Sequence, residues 1–342
     1  MSVSDLYWPG LTEERRDLAR TAQDVLISEA DDPAAGLTLG WFGIGIDEQL
    51  GGGGGEFADL APVIEAAGAR SAATAAPWTT GVVARLLDPA RHAELLRGIA
   101  GGTAQVAIPV GDLSPRTLPP ESAELGGNRA PASGGLLVHG APRPTHLVLP
   151  LSDELVLVDT ERVTHAPLPS VDASRFLHRV TFDAANVADA GFRLDVSPER
   201  LRVLIAQVGA LDAAGAARSA LEATLRHARA REQFGRPIGS FQAYKHRCAN
   251  AYQKLKLAQS AAFRSAAEPH GPHRDRLALA AALVGIADCV HVCGEAVQLH
   301  GAIGFSWESG LHAYLRRARS AQIITGPGEA AVESLLALAG SG

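Results

Sequence analysis

An α+β fold, mostly α, is predicted for these 342 residues, in the order helical domain, small β domain, helical bundle. Three observations predict it. Apolar residues recur at helical spacing over residues 1–102. Short apolar segments separated by turn residues fill 103–195, where ten of the 20 prolines fall between Pro109 and Pro169. Long, well-capped helical stretches fill 196–342, and long antiparallel helices with short links make a four-helix bundle.

Each element has a local reason. Residues 11–27 carry an apolar stripe behind Thr12-Glu13-Glu14, a cap with an acidic first turn. Residues 40–51 are too rich in glycine for a helix, and the five glycines 51–55 predict a flexible surface loop. No Lys-Ser or Lys-Thr follows them, which excludes a phosphate-cradling loop. Residues 57–68, 80–87 and 89–99 read as helices. Residues 103–110, 136–139, 146–150, 155–159 and 176–182 read as strands of a small antiparallel structure. Ser197-Pro198-Glu199 starts a helix that can run to Gln233, where Gly235, Pro237 and Gly239 break it. Further helices are expected over 240–268, 275–300 and 309–321, with a short one after Gly326-Pro327-Gly328.

Composition excludes several functions. The net charge is −6, with 37 acidic against 31 basic residues, so the basic footprint of a general nucleic-acid binder is missing. No single apolar run reaches membrane-spanning length, and the first residues carry no signal pattern. Cys248, Cys289 and Cys293 make no disulfide framework, which points to the cytoplasm. Cys289 and Cys293 share a helix face, but His291 points elsewhere, so buried thiols are the simpler reading than a metal site. Ser114 and Ser240 lack a paired histidine in sequence context and read poorly as nucleophiles.

Two segments carry a family resemblance. Arg229-Ala-Arg-Glu-Gln-Phe-Gly-Arg-Pro-Ile-Gly-Ser-Phe-Gln242 resembles the signature of acyl-CoA dehydrogenases. Gln298-Leu-His-Gly-Ala-Ile-Gly-Phe305, followed by Tyr314-Leu-Arg-Arg-Ala-Arg319 and Ile323-Ile-Thr-Gly-Pro-Gly-Glu329, resembles a second. The three-part organisation fits that family, and within it the chain resembles the short subunit of heteromeric, actinobacterial-type members.

The resemblance implies an FAD enzyme. Members take the α-proton of an acyl thioester while the β-hydrogen leaves as hydride to the flavin, and electrons pass on to an electron-transfer flavoprotein. Such chemistry needs a carboxylate base in a dry pocket and donors on the thioester oxygen. Arg231 falls where the family sets an arginine against the FAD pyrophosphate; the alternative is a solvated charge at a helix C-terminus. Gln233 and Phe234 match neighbouring flavin contacts, although Phe234 reads equally as core. Gln298 matches a glutamine that reaches the dinucleotide of a neighbouring subunit. Gly301 and Gly304 occupy the turn that lets backbone approach the cofactor, with Ala302 replacing a family glycine. Glu329 matches a position near the adenosine end, or is simply a first-turn acid.

The departures are as informative. The family glutamate that precedes a glycine is Thr325 here, and the alternative position on the first bundle helix is Ile205. Neither can be a base. Asp212 is the remaining carboxylate in a candidate position, on the stripe Leu201, Ile205, Val208, Asp212, Gly215, Ser219. It is expected either as the base or as a structural aspartate bonded to a neighbouring helix. An arginine near the substrate in many members is Ala206, and residues 107–115 lack the family's flavin-ring loop. Three readings follow: one subunit of a heteromeric acyl-CoA dehydrogenase with a longer homologous partner; a self-sufficient homo-oligomer acting on acyl-CoA or a carrier-bound acyl group; or a non-catalytic partner of an active homologue.

Overall fold

The computed structural model describes residues 11–111, 134–151, 154–326 and 328–340. Ser114 and the rest of 112–115, the end of the segment that replaces the flavin-ring loop, lie outside them.

The first region packs α1 (Glu13–Ser28) on α2 (Phe57–Arg70), followed by α3 (Ala76–Thr79) and α4 (Ala93–Ala100). The Thr12 hydroxyl accepts from the Arg15 amide, and Glu56 and Asp59 cap the start of α2 reciprocally. Residues 80–87 make only a 3-10 turn at Val83–Leu86, because Gly81 and paired valines give little helix propensity. The glycine tract is no loose loop. The Gly53 amide donates to Gly43 O and the Gly54 amide to Ile46 O, both at 2.9 Å. A Cβ on Gly52 would lie 2.1 Å from Ile46 O, so glycine is needed there for backbone-to-backbone contact.

The middle region is one seven-stranded sheet. Its strands are β1 (Val106–Pro109), β2 (Gly134–Gly140), β3 (His146–Leu151), β4 (Glu154–Asp159), β5 (Thr164–Leu168), β6 (Phe176–Phe182) and β7 (Phe192–Leu194). They lie in the order β5-β6-β2-β1-β3-β4-β7. β5 and β7 were not expected: they are edge strands, largely exposed, and so lack an apolar pattern. The sheet is not purely antiparallel, since β1 pairs parallel with β3. α5 (Ala184–Ala190) links β6 to β7.

The last region is built on α6 (Pro198–Ala230), 33 residues whose N-cap Ser197 accepts from the Arg200 amide. A hairpin of β8 (Glu232–Gln233) and β9 (Arg236–Pro237) follows, then α7 (Gln242–Ala267). α8 (Pro272–Ala280) runs through a π segment, Ala281–Ile286, into α9 (Ala287–Leu299). α10 (Leu311–Thr325) and α11 (Gly328–Gly340) complete it. The continuous run Pro272–Leu299 is, by length and apolarity, long enough to cross a membrane, which inspection of single apolar runs did not foresee. Half of its apolar window is buried, and it packs on α6 and α7 as a core helix does.

Two glycines bring the first region onto the bundle. A Cβ on Gly68 would lie 1.9 Å from Asp212 O, and one on Gly215 would lie 1.9 Å from Glu65 O. α2 and α6 therefore cross with backbones in contact. Beside the crossing, buried Glu65 receives Arg218 Nε at 2.6 Å and Nη2 at 3.0 Å. That bidentate geometry satisfies both carboxylate oxygens of a buried charge.

Candidate active site

A cavity of about 900 Å³ opens between the sheet and the bundle. Val110 and Leu137 come from the strands, Gln298 from α9, and Arg319, Gln322 and Ile324 from α10. A second cavity, about 40 Å³, lies against α6 and is lined by Arg202, Ala206, Leu283, Gln322, Thr325 and Gly326. Gln322 lines both, so its side chain stands between the two spaces at the last turn of α10. Gly326 is held against the end of β1: the Gly111 amide donates to Ile324 O at 3.2 Å, and a Cβ on Gly326 would lie 2.9 Å from Gly111 O.

The wall of the larger cavity suits a flat, mixed ligand. Its lining mixes apolar side chains with amide, hydroxyl and guanidinium donors. It also holds a buried acceptor: Asp172 Oδ2 has no hydrogen-bond partner and sits 3.5 Å from Arg175 Nε. Glu295, on the same wall, accepts from Arg247 Nε at 2.8 Å, and that bond holds its carboxyl below the usual range.

Asp212 lies elsewhere. It is completely buried and lines neither cavity. Arg317 Nε donates to Oδ1 at 3.1 Å and to Oδ2 at 3.0 Å, and Nη2 reaches Oδ1 at 2.7 Å. Arg175 Nη2 donates to Oδ2 as well. Arg317 also donates to Ala72 O at 2.8 Å and Ser174 Oγ at 2.6 Å, while Arg175 stacks over Trp78 at 4.9 Å. Burial, then Arg317, pulls the Arg175 guanidinium down to about 10. The cluster ties together all three regions of the chain. Both oxygens of the Asp212 carboxylate are taken up by these guanidiniums. Arg175 and Arg317 were not singled out from the sequence; helical spacing exposed the partnerless carboxylate but not the partners, which come from distant segments.

The two family positions without a carboxylate are equally clear. Ile205 is buried core. The Thr325 hydroxyl donates to Ala321 O at 3.0 Å, inside its own helix. Among the described residues, no Asp or Glu lines the smaller cavity.

The motif residues gather at one end of the bundle. Arg231 is the C-cap of α6, and Gln233 and Phe234 form the exposed tip of the β8–β9 hairpin. Phe234 is 91% exposed with φ of +55°, followed by Gly235 at +75°, so it is not core. His227, in the last turn of α6, stacks on His300, the C-cap of α9, with centroids 4.3 Å apart. That stack brings the Arg231 end of α6 to the Gly301 turn. Gly301 has φ of +64° and open space around it, whereas a Cβ on Gly304 would lie 2.1 Å from Val297 O. Gln298 reaches the larger cavity; Arg231, Gln233, Phe234 and Glu329 line neither cavity. Glu329 is an exposed first-turn acid of α11. Cys289 and Cys293 are buried, with thiols pushed up by desolvation, and no group fit to hold a metal occurs among the described residues.

Comparison with known proteins settles the lineage. Residues 199–337 match the family model described as acyl-CoA dehydrogenase, C-terminal domain. Acyl-CoA dehydrogenase IpdE2 of Mycobacterium tuberculosis is 30% identical over 293 residues, covering 83% of this chain and 79% of that protein. The chain belongs to the acyl-CoA dehydrogenase family. Acyl-CoA dehydrogenase FadE34 of the same organism is 37% identical over 295 residues, 83% of this chain, but the match spans only 38% of FadE34. PigA, in a structure with FAD and proline, shares the fold at a TM-score of 0.77 and 16% identity, covering 97% of this chain and 99% of that one. FAD is the cofactor bound in that PigA structure.

Proposed function

We propose that this acyl-CoA dehydrogenase family member removes hydrogen across the α,β-bond of an acyl thioester as one subunit of a heteromeric, cytoplasmic assembly. The observation that carries the reading is the placing of Gln322 between the two cavities. A ring would occupy the larger space, with Gln322 between it and the smaller one, which at about 40 Å³ has room for no more than the tip of an acyl chain. FAD supplies the two-electron acceptor when bound. Gln298, Arg319 and Gln322 are the side chains of this chain that would hold it, with Asp172 on the same wall. Apolar Leu283 and Ala206 exclude water from the acyl end.

The partner requirement rests on what surrounds those spaces. The smaller cavity has no acidic side chain among the described residues, and Asp212 is committed to Arg317 and Arg175. Arg231, Gln233 and Phe234 project from the bundle end and line neither of the two cavities, as expected of groups that serve a neighbour's dinucleotide. We therefore assign the base to a longer homologous subunit, and the electrons to an electron-transfer flavoprotein. Three unbridged, buried cysteines suit a reducing compartment.

The test is the visible spectrum of the purified chain, alone and co-expressed with a longer homologue, followed by anaerobic addition of acyl-CoAs. Flavin that is retained and bleached only in the complex is expected. Stoichiometric FAD bleached by a thioester in the lone chain would overturn the partner requirement and restore the homo-oligomeric reading. A complex in which this chain's motif variants leave flavin and turnover unchanged would leave it a non-catalytic scaffold.

A further inference from the structure

A cluster of arginines lies away from both cavities, where the 3-10 turn Val83–Leu86, the first turns of α6 and the start of α8 come together. Arg200 Nη1 lies 3.3 Å from Asp275 Oδ1, and Arg274 Nε lies 3.8 Å from the same oxygen. One carboxylate oxygen is thus shared by two guanidiniums. Arg85 stands beside them, with Nη2 bonded to Gln207 Oε1 at 2.8 Å and Nη1 to Gly81 O at 3.1 Å. Those partners are neutral and leave its charge uncompensated. Three guanidiniums face one carboxylate, an excess of two positive charges.

The cluster is sheltered. Arg274 is 8% exposed, yet its Nε and Nη2 have no hydrogen-bond partner among the described residues. Buried guanidinium nitrogens without acceptors are costly, and a ligand oxygen is the ordinary way to satisfy them. Burial, then the fields of Arg200 and Arg274, holds Arg85 well below its usual range, and Asp275 offsets only part of that. α8 begins here with Gly271 at its N-cap and no side-chain acceptor on its first-turn amides. His270, exposed, feels the same charges.

We propose that Arg85, Arg200 and Arg274 form a binding site for a phosphate dianion, either the free ion or a phosphomonoester. Forked guanidinium donors match tetrahedral oxyanions, and an excess charge of two matches the ligand's. Asp275 holds Arg200 and Arg274 in place while leaving Arg274's other donors for the ligand.

The experiment is thermal unfolding of the full chain in inorganic phosphate against chloride at matched ionic strength, for wild type, Arg274→Gln and Arg200→Gln. At saturation, phosphate is expected to raise the wild-type midpoint by roughly 2–4 °C beyond chloride. Either variant is expected to lose at least half of that rise. If Arg274→Gln does not fold, Arg200→Gln carries the comparison, because its partly exposed side chain leaves fewer groups stranded. A parallel arm compares coenzyme A with its 3′-dephospho form. A greater rise with the phosphorylated form identifies a phosphomonoester as the ligand; no difference between them, with the inorganic phosphate response retained, identifies the free ion. Either upholds the site. No rise beyond chloride, or an equal rise in both variants, overturns it and leaves an adventitious ion only. Binding is read without turnover, so its outcome is separate from that of the dehydrogenase test.

Discussion

Arg317 grips Asp212 with two nitrogens, Nε and Nη2, in a pocket from which both side chains are wholly excluded from water. Its third nitrogen reaches Ala72 O and Ser174 Oγ, so the same guanidinium binds α6, the end of α2 and the turn before β6. A buried pair of this kind is harmful to break singly, because the surviving charge is stranded. Asp212→Ala leaves Arg317 and Arg175 facing each other with Asp172, 3.5 Å from Arg175 Nε, as their remaining counter-charge. We expect a loss of about 3–5 kcal/mol in stability, read from the urea midpoint. The double variant Asp212→Leu with Arg317→Met should recover part of it. Asp212→Asn, once folded and loaded with FAD in its complex, should turn over normally. A fall of about 10²–10⁴ in rate with an unchanged midpoint would make Asp212 the base after all.

Phe234 is an aromatic residue at positive φ on the tip of an exposed two-stranded hairpin. Glycine adopts that backbone without strain, and a bulky side chain does not. Phe234→Gly should therefore leave the isolated chain as stable as wild type or up to about 1 kcal/mol more so. The same change should weaken FAD retention in the assembled protein, where the ring is available to a neighbour. Midpoint and flavin content, measured on one preparation, separate the two effects. Reduced stability with undiminished flavin would place Phe234 in its own chain's packing instead.

The sequence revealed the frame of this site better than its contents. The cap at Ser197, the break at Gly235 and the periodic stripe through Asp212 are local signals, and α6 follows them closely, ending at Ala230 rather than Gln233. The short edge strands β5 and β7 were invisible because exposed edges carry no apolar alternation. The glycine tract misled for a related reason: five glycines look loose until Gly43 and Ile46 from the preceding turn bond to them. The partners of Asp212 could not be found by spacing, since Arg175 and Arg317 lie 37 and 105 residues away. A carboxylate in an apolar stripe signals that a partner or a function exists, and only the fold decides which.

Gly304 offers a test of the turn that follows α9. A Cβ there would stand 2.1 Å from Val297 O and 3.0 Å from the His300 side chain. Backbone cannot yield at the first contact without unwinding the end of the helix. Gly304→Ala should cost about 1–3 kcal/mol, as overpacked sites do, and should disturb the His227–His300 stack beside it. FAD content in the complex should fall with it. Gly301→Ala meets no neighbour but must adopt positive φ, so its cost should be smaller, about 1 kcal/mol. Equal midpoints for the two variants would refute this account of the turn.

His139 gives the fold a pH dependence of definite sign. It is buried edge-on against Trp78, with centroids 4.9 Å apart, and its Nδ1 lies 3.2 Å from Phe176 O. Burial, then the field of Arg175, holds its pKa well below 6.5. In the unfolded chain it titrates near the ordinary value of about 6.5. Below that pH the unfolded state binds a proton that the folded state refuses, so stability falls as pH drops and is flat above. Each pH unit below that value should remove at most about 1.4 kcal/mol through this one group, until the folded pKa is reached. Urea midpoints from pH 8 down to pH 5 measure the slope. Two other buried or half-buried histidines, His146 and His178, are also lowered, mainly by desolvation, and add in the same direction. His139→Gln, which keeps a donor toward Phe176 O and removes the titration, should flatten the acid limb by up to one proton's worth. An acid limb of unchanged steepness in that variant would assign the pH dependence to groups other than His139.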